Sequence, residues 1–396
     1  MTNAIVIGGG PAGLIYAETL VRYGHDVIVF EEHSEIGYPD HCAGLLSITG
    51  LNRIRIKPPN KTIQNIVYGA KIYSAKGYPI EIRTKEPKAY VLNRAKFDKF
   101  LAEQAEKKGV QINLNTKVLN INRFKSKFSG ISYRKNNEIK EINADLIINT
   151  EGAYGRIAKK LGIDTVSDQN KIPAIQYEME NVDVDRNVVE LYFNNKIANG
   201  LFAWIIPTGK TTARVGLASK IRPAKSLAWF VNKSVFKDRF KNARKIRQFG
   251  GIIPITLPIK DLVIQNLINI GDVAGQVKAT TGGGVIMNGL AARIAAQVSH
   301  EYFIHEQKLK TLKMYPKIWR KYVGLDLWLM YRARKVLDNI NNPTLDNLFK
   351  IIKYAGIIKD IEAKGDMDFQ RDAILSVIKS PKIVFSLITP IIRSFL

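Results

Sequence analysis

Three glycines and one carboxylate near the start of the chain have the types and spacing to hold a dinucleotide. Gly8, Gly10 and Gly13 form G-x-G-x-x-G, and Glu31 stands eighteen residues beyond the last of them. The first glycine lets the chain reverse tightly, the second has no side chain to hold off a pyrophosphate, and the third lets helix pack closely on strand. Pro11 and Ala12 open the helix that follows. A missing proline N–H costs nothing there, and the free N–H groups of the first turn face phosphates together with the positive end of the helix dipole. Glu31 is placed to accept hydrogen bonds from adenosine ribose hydroxyls, ahead of its neighbour Glu32. This stretch alone fits NAD and FAD equally.

A second constellation decides between them. In LINIGDVAGQVKATTGGGVIMNGLAARIAAQ, residues 267–297, an apolar strand ends at Gly271-Asp272, and Gly282, Gly283 and Gly284 lead into a helix that begins at Val285. Asp272 is suited to sugar or ribitol hydroxyls, and the N–H groups opening that helix can meet a negatively charged ring edge. An NAD enzyme has no need of this second site, whereas FAD, longer and stretched across the domain, does. The expected cofactor is non-covalent FAD. No second G-x-G-x-x-G unit is present to bind NAD(P)H stably, so the reductant is left open among NAD(P)H in transient contact, ferredoxin and another carrier.

One thiol is available for chemistry, Cys42, in the Gly- and Pro-containing stretch EIGYPDHCAGLLSITG. Residues 34–60 read as a loop at the carboxyl ends of the strands, where open α/β sheets bind ligands. The ordinary alternative for a free cysteine is a small buried filler. Phe202, Trp204 and Ile206, at alternate positions of LFAWIIP, share one strand face; they are either core or a ligand wall.

The elements that must carry these residues follow from periodicity. Ala4–Ile7 and Val27–Phe30 are short apolar runs typical of strands buried in a parallel sheet, with a helix over 11–23 between them. Residues 63–93 alternate as strands. AKFDKFLAEQAEKKG reads as a helix stopped by Gly109, with Arg94 just before it. Short strands near 110–122, 128–134 and 139–149 follow, the last returning to the sheet so that Glu151 and Gly152 land by the nucleotide. From 172 to 258 the chain alternates as a mostly antiparallel sheet, interrupted by a helix over 224–240. The expected fold class is α/β (α+β). A Rossmann-like nucleotide domain is assembled from 1–62, 93–171 and 259–305; a substrate sheet comes from 63–92 and 172–258; a helical region spans 306–396. The apolar tail KIVFSLITPIIRSFL is too short to span a bilayer and reads as packed helix or interfacial anchor.

Composition narrows the function class. With 396 residues and 46% apolar content the chain can build a substantial core from two or three modules. A single cysteine and five histidines exclude an intrachain disulfide and make structural zinc improbable. A first strand at residue 4 leaves no room for a leader and predicts a cytoplasmic protein. The net charge of +25 either reflects a Lys-rich background or draws the protein peripherally to anionic membrane on the cytosolic face. No basic block with interleaved aromatics of the kind that single-strand binders use is present, so nucleic acid is not an expected partner.

Together, GGGPAG with Glu31, YVLNRAKFDKFL with Arg94, the FAWIIP strand and GDVAGQVKATTGGGV resemble the geranylgeranyl reductase family, a branch of the p-hydroxybenzoate hydroxylase type of flavoprotein. The resemblance covers about residues 1–305. It implies FAD, an inserted substrate sheet and a C-terminal helical region. The implied activity is reduction of isolated C=C bonds in prenyl chains, either of archaeal membrane lipids or of prenyl quinones, with an electron-donor protein as a further partner. By position it assigns Gly8, Gly10, Gly13 and Glu31 to the ADP part, Arg94 and Asp272 to the rest of the FAD, and Gly282 to Val285 to the isoalloxazine. Ala43, Val118 and Gly152 complete the cofactor set. Cys42 falls where the family has a cysteine near the flavin, and Phe202, Trp204, Ile206 and Pro207 fall on the family's substrate motif, with Cys42 and Trp204 as the catalytic candidates. Three departures stand out: Glu151 replaces an Asp before Gly, Ala279 replaces a proline after Gly-Asp, and Phe202 and Ile206 replace two substrate-motif aromatics. The competing expectations are an FAD-dependent monooxygenase and a non-catalytic prenyl-binding flavoprotein.

Overall fold

A computed structural model describes residues 2–354 and 357–387. The strand predicted over Ala4–Ile7 runs from Thr2 to Ile7, and Ala4, Ile5 and Val6 are fully buried. It lies inside a sheet whose strands run in the spatial order Val263–Ile264, Leu267–Asn269, Glu138–Asn149, Thr2–Ile7, Val27–Phe30, Gln111–Asn113. All neighbours are parallel except the terminal hairpin. The chain leaves Thr2–Ile7 for Val27–Phe30 on one side and returns as Glu138–Asn149 on the other, so the carboxyl end of Thr2–Ile7 is a switch point where the sheet opens a crevice. Glu138–Asn149 serves two purposes. Its first half pairs antiparallel with Lys127–Lys135 and is largely exposed; its second half pairs with Thr2–Ile7 from Ala144 and also with Leu267–Asn269 from Ile147, and is largely buried. Helices Pro11–Val21 and Val285–Ile304 pack together beneath this sheet, joined where Tyr16 Oη donates to Ser299 Oγ at 2.7 Å in the core.

The inserted sheet has seven strands in the order Arg244–Pro254, Lys171–Glu180, Ala213–Ala218, Ala203–Pro207, Val188–Tyr192, Gly69–Tyr73, Pro79–Arg83. One pair, Val188–Tyr192 with Gly69–Tyr73, is parallel and the rest antiparallel. Helix Pro223–Lys233 covers one face, where Leu227 and Phe230 pack with Ala203 and Ile205. The helix expected over 224–240 stops at Lys233 because Ser234 Oγ takes the N–H of Phe236 and turns the chain into a short 3-10 segment. The opposite face carries Phe202, Trp204 and Ile206, as alternation predicted.

Two local expectations change. Residues 34–60 are not all loop: Leu45–Ser47 is a strand and Ile48–Arg53 a helix, capped by Ser47 Oγ accepting from Gly50 N–H. That strand pairs with Ala89–Leu92, which also pairs with Ile63–Val67, forming a three-stranded sheet that bridges the two larger ones. Arg94 does not precede its helix but opens it, and Asn93 is the cap, accepting from Lys96 N–H.

The C-terminal helices roof the open face of the inserted sheet. Ile80 packs with Ile340, Leu345, Leu348 and Phe349, from the linker after helix Met314–Asp338 and from helix Asn342–Tyr354. The sequence beyond Leu387, including most of the apolar tail, lies outside the described residues. No helix of the described residues is long and apolar enough to cross a membrane.

Candidate functional site

The crevice of the parallel sheet and the space between inserted sheet and roof are one continuous cavity of about 1580 Å³. Gly8, Gly10, Pro11, Glu31, Glu32, Val118 and Gly152 line its nucleotide end. Cys42, Ala43, Arg94, Asp272 and Gly282 to Val285 line its middle, and Phe202, Trp204 and Ile206 the sheet wall. Ala12, Gly13, Gly271 and Pro207 are not among its lining residues. Gly13 acts by packing, since a Cβ there would strike Gly8 O and the Thr150 side chain. Gly271, at φ +93°, turns the chain ahead of Asp272 and gives its N–H to Gln276 Oε1. Pro207 is buried, its carbonyl held by Asn65 Nδ2.

At the nucleotide end Gly8 takes φ +103°, and a Cβ there would lie 2.6 Å from Thr150 O. Gly10 differs: nothing lies within 4 Å of where its Cβ would be. The open side of that residue faces the cavity, beside the helix N-terminus. Glu31 accepts from Gly9 N–H at 2.7 Å and from His33 N–H at 3.0 Å, with His33 Nδ1 at 2.5 Å. Glu32 is engaged elsewhere, ion-paired with Lys117 at 2.8 Å. That pairing holds the Glu32 carboxyl below the usual carboxylate range. Glu151 lines the cavity, but its carboxylate is taken by the N–H groups of Ile157 and Ala158, which it caps at 2.7 and 2.9 Å.

In the middle of the cavity Asp272 is half-buried, and desolvation pushes its carboxyl above the ordinary range against the opposing hydrogen bond from Asn288 Nδ2. Asn288 Oδ1 and Thr281 Oγ1, also on the lining, are buried without a hydrogen-bond partner among the described residues. Buried polar atoms normally find partners. These atoms, the Asp272 carboxylate and the uncrowded Gly10 match the hydroxyls, ring edge and pyrophosphate of FAD. Lys278 reaches along the glycine loop, its Nζ bonded to Met367 O and to Asp368 Oδ1 at 2.9 and 2.6 Å.

The Cys42 loop is held by groups that local sequence did not single out. Arg214, fully buried on the inserted sheet, donates to Ala43 O at 2.8 Å, Leu92 O at 2.9 Å, Gln64 Oε1 at 2.7 Å and Glu178 Oε1 at 3.1 Å. Arg247 joins Glu178 to Asp40. Cys42 Sγ accepts from Gly44 N–H at 3.4 Å. Arg94 is clamped by Asp98, one helical turn on, through contacts of 3.0–3.1 Å; the i, i+4 spacing of an Arg and an Asp was the available signal.

On the wall, Trp204 Nε1 donates to Gln176 Oε1 at 3.2 Å, and Gly216 makes room for the indole. An aromatic file continues from Trp204 to Phe202, Phe193 and Phe349, with successive ring centroids 6.3, 5.3 and 6.4 Å apart. Phe193 and the roof residues Leu345, Leu348 and Phe349 also line the cavity; the spacing of the three roof residues was their sequence signal, and the cavity they face was not legible.

With this geometry in view, known proteins are informative. Residues 1–229 match the FAD binding domain family. Digeranylgeranylglycerophospholipid reductase 1 of Methanosphaera stadtmanae is 31% identical over 96% of this chain and 93% of its own length. The digeranylgeranylglycerophospholipid reductase of Methanocaldococcus jannaschii is 29% identical over 87% and 89%. The solved structure of a geranylgeranyl bacteriochlorophyll reductase-like protein from Thermoplasma acidophilum superposes with a TM-score of 0.87 at 27% identity, covering 98% of each chain. A flavin-dependent brominase, with a TM-score of 0.73 at 16% identity over 93% of this chain and 94% of its own, shares the fold. The cofactor that the cleft fits is therefore FAD, and the chain belongs to the geranylgeranyl reductase family of FAD-binding oxidoreductases.

Proposed function

We propose that the protein reduces isolated C=C bonds in the geranylgeranyl chains of a glycerophospholipid, or in a related polyprenyl compound, at the cytosolic surface of a membrane. The observation that carries this reading is the continuity of the cavity: the cleft that fits FAD runs without a break into an apolar slot walled by Trp204, Phe202 and Phe193. Its volume of about 1580 Å³ exceeds the ~300–1,000 Å³ that serves one drug-sized ligand, as a dinucleotide and a long chain together require. Gly8, Gly10 and Glu31 would hold the ADP part of the cofactor, Asp272 and Asn288 its sugar-like hydroxyls, and Gly282 to Val285 its ring. Reduced FAD supplies a hydride when bound. The chain's own residues do the rest. Trp204, fixed through Gln176, and Phe202 orient the prenyl chain and exclude water. Cys42 lies on the cavity lining, held by Gly44 and by the Arg214 clamp on the adjoining carbonyl, as the candidate donor of the proton that the second alkene carbon needs.

Incubating chemically reduced holoprotein with a digeranylgeranyl glycerophospholipid and weighing the extracted lipid tests this. A mass gain of two hydrogens per double bond is expected. A gain of one oxygen replaces the reading with a monooxygenase, and an unchanged lipid with binding alone.

A further inference from the structure

Helix Met314–Asp338 buries one face and leaves most of the other open among the described residues, where only Tyr322 meets a neighbouring ring, the edge of Phe369 at 5.7 Å. Tyr315, Trp319, Val323, Leu327 and Met330 are turned into the core. On the opposite side Met314, Ile318, Tyr322, Leu325 and Trp328 follow one another at three- and four-residue steps and are 41–54% exposed. A row of five large apolar side chains in water is not ordinary surface. Lys313, just before the helix, and Lys317 and Lys321 on it are exposed, and none has an ion-pair partner among the described residues. From Leu309 to Leu325 the sequence holds no carboxylate at all. Apolar and aromatic residues interleaved with lysines are the composition of a helix that lies in the headgroup boundary of an anionic bilayer.

The second observation ties this face to the cavity. Trp328, at the end of the row, and Ile378, on the neighbouring helix Arg371–Ile378, both line the cavity and are 45% and 51% exposed. The cavity therefore reaches the surface between these two helices, with the apolar row leading up to the opening. From the row, the lysines and the opening, we infer that the outer face of helix Met314–Asp338 seats the protein on an anionic lipid bilayer, with the mouth between Trp328 and Ile378 turned to the membrane so that a prenyl chain passes into the slot without crossing water. This rests on the prenyl-lipid reading for its purpose, and not for its physical basis.

Flotation of the full-length FAD-loaded protein with phosphatidylglycerol vesicles tests it. Ile318→Asp with Leu325→Asp places two anions on exposed positions, so folding is unaffected, and Ile139→Asp, at a 65% exposed position on the hairpin of the parallel sheet, is the matched control. The proposal expects wild type and I139D to float with phosphatidylglycerol vesicles and the double variant to partition at least tenfold less. It expects binding to phosphatidylcholine vesicles to be several-fold weaker, and binding to phosphatidylglycerol vesicles to weaken at high salt. On vesicle-embedded digeranylgeranyl lipid the double variant falls at least tenfold in rate, and on detergent-dispersed geranylgeraniol it matches wild type. Equal flotation of wild type and double variant overturns the proposal. So does equal loss in I139D, and so does a double variant that turns a dimer into a monomer while still floating, which would make the face a contact between copies. If the double variant loses flotation but wild type reduces no prenyl lipid in either form, the docking face stands and the substrate reading fails.

Discussion

Glu31 has two tasks at the end of strand Val27–Phe30. One carboxylate oxygen takes the N–H of Gly9 and so shapes the glycine turn, while the other meets His33. The same group lines the cavity where a ribose would lie. Glu31→Gln keeps the shape and removes the charge, so the charge-assisted bonds weaken and about 1.5–3 kcal/mol is lost. Flavin fluorescence titration of apoprotein should show FAD affinity reduced roughly 10- to 150-fold. Asp272 presents the opposite balance. Burial raises its carboxyl, so in the folded apoprotein its charged form is disfavoured relative to the unfolded chain. A carboxyl whose folded value lies above its unfolded one stabilises the fold at low pH, and that contribution disappears as pH rises through the folded value. Asp272→Asn removes this loss and still accepts from Asn288. Apo Asp272→Asn should therefore melt above apo wild type at neutral pH, with the gap closing towards about pH 4, the ordinary range of the group. FAD affinity should fall in the same variant, because the charged acceptor proposed for the cofactor's hydroxyls is gone. A melting point unchanged at neutral pH would refute the account.

At the scale of elements, Arg214 connects three pieces that are far apart in the chain: the strand Ala213–Ala218, the Cys42 loop through Ala43 O, and the strand Ala89–Leu92 through Leu92 O. Arg214→Met leaves the carbonyls of Ala43 and Leu92 and the side chain of Gln64 without their donor, while Glu178 keeps Arg247. Breaking such a buried cluster at one member costs about 3–5 kcal/mol. The denaturation midpoint should fall accordingly, and the amide of Leu92, which bonds Gly44 O, should exchange its hydrogen faster. This clamp shows where reading from sequence stops. The strand, glycine turn, helix and acid from Thr2 to Glu31 were legible because each depends on neighbours within one βαβ unit. Phe202, Trp204 and Ile206 were legible as one face because a strand's period is two residues. Arg214 looked like any arginine on an alternating strand, since its partners lie 36 to 171 positions away. Leu45–Ser47 looked like loop because only its pairing with Ala89–Leu92 makes it a strand. Phe193 falls one residue past the end of Val188–Tyr192, and nothing local says that it continues the file from Trp204. The roof helices were legible as helices, and their role as a cavity wall was not, because that depends on which sheet face the insertion leaves open.

Over the whole molecule, the roof and the nucleotide domain are fastened at the cavity by one buried ion pair. Lys278 lies in the glycine loop against which the flavin ring would sit, and Asp368 lies in the turn between helices Ile357–Lys364 and Arg371–Ile378. Both are buried, and Asp368 also accepts from Ser47 Oγ. Thr280 Oγ1 to Gln370 Oε1 and Arg53 to Asp366 reinforce the same seam at 2.6 and 2.7 Å. Lys278→Met removes the cation and leaves Asp368 charged in a site with one hydroxyl donor, so about 3–5 kcal/mol should be lost. The cost comes from the stranded anion rather than from the absent bond, so the double variant Lys278→Met, Asp368→Leu should recover most of the loss in a denaturant midpoint. The two variants separate fastening from folding. If the pair holds the roof to the cofactor loop, limited proteolysis should cut residues 365–370 faster in both variants, and FAD should dissociate faster from both, even where the double variant has regained its stability. If only the single variant is cut faster and loses FAD faster, the pair matters through the buried charge alone, and the seam is held by Arg53, Thr280 and packing.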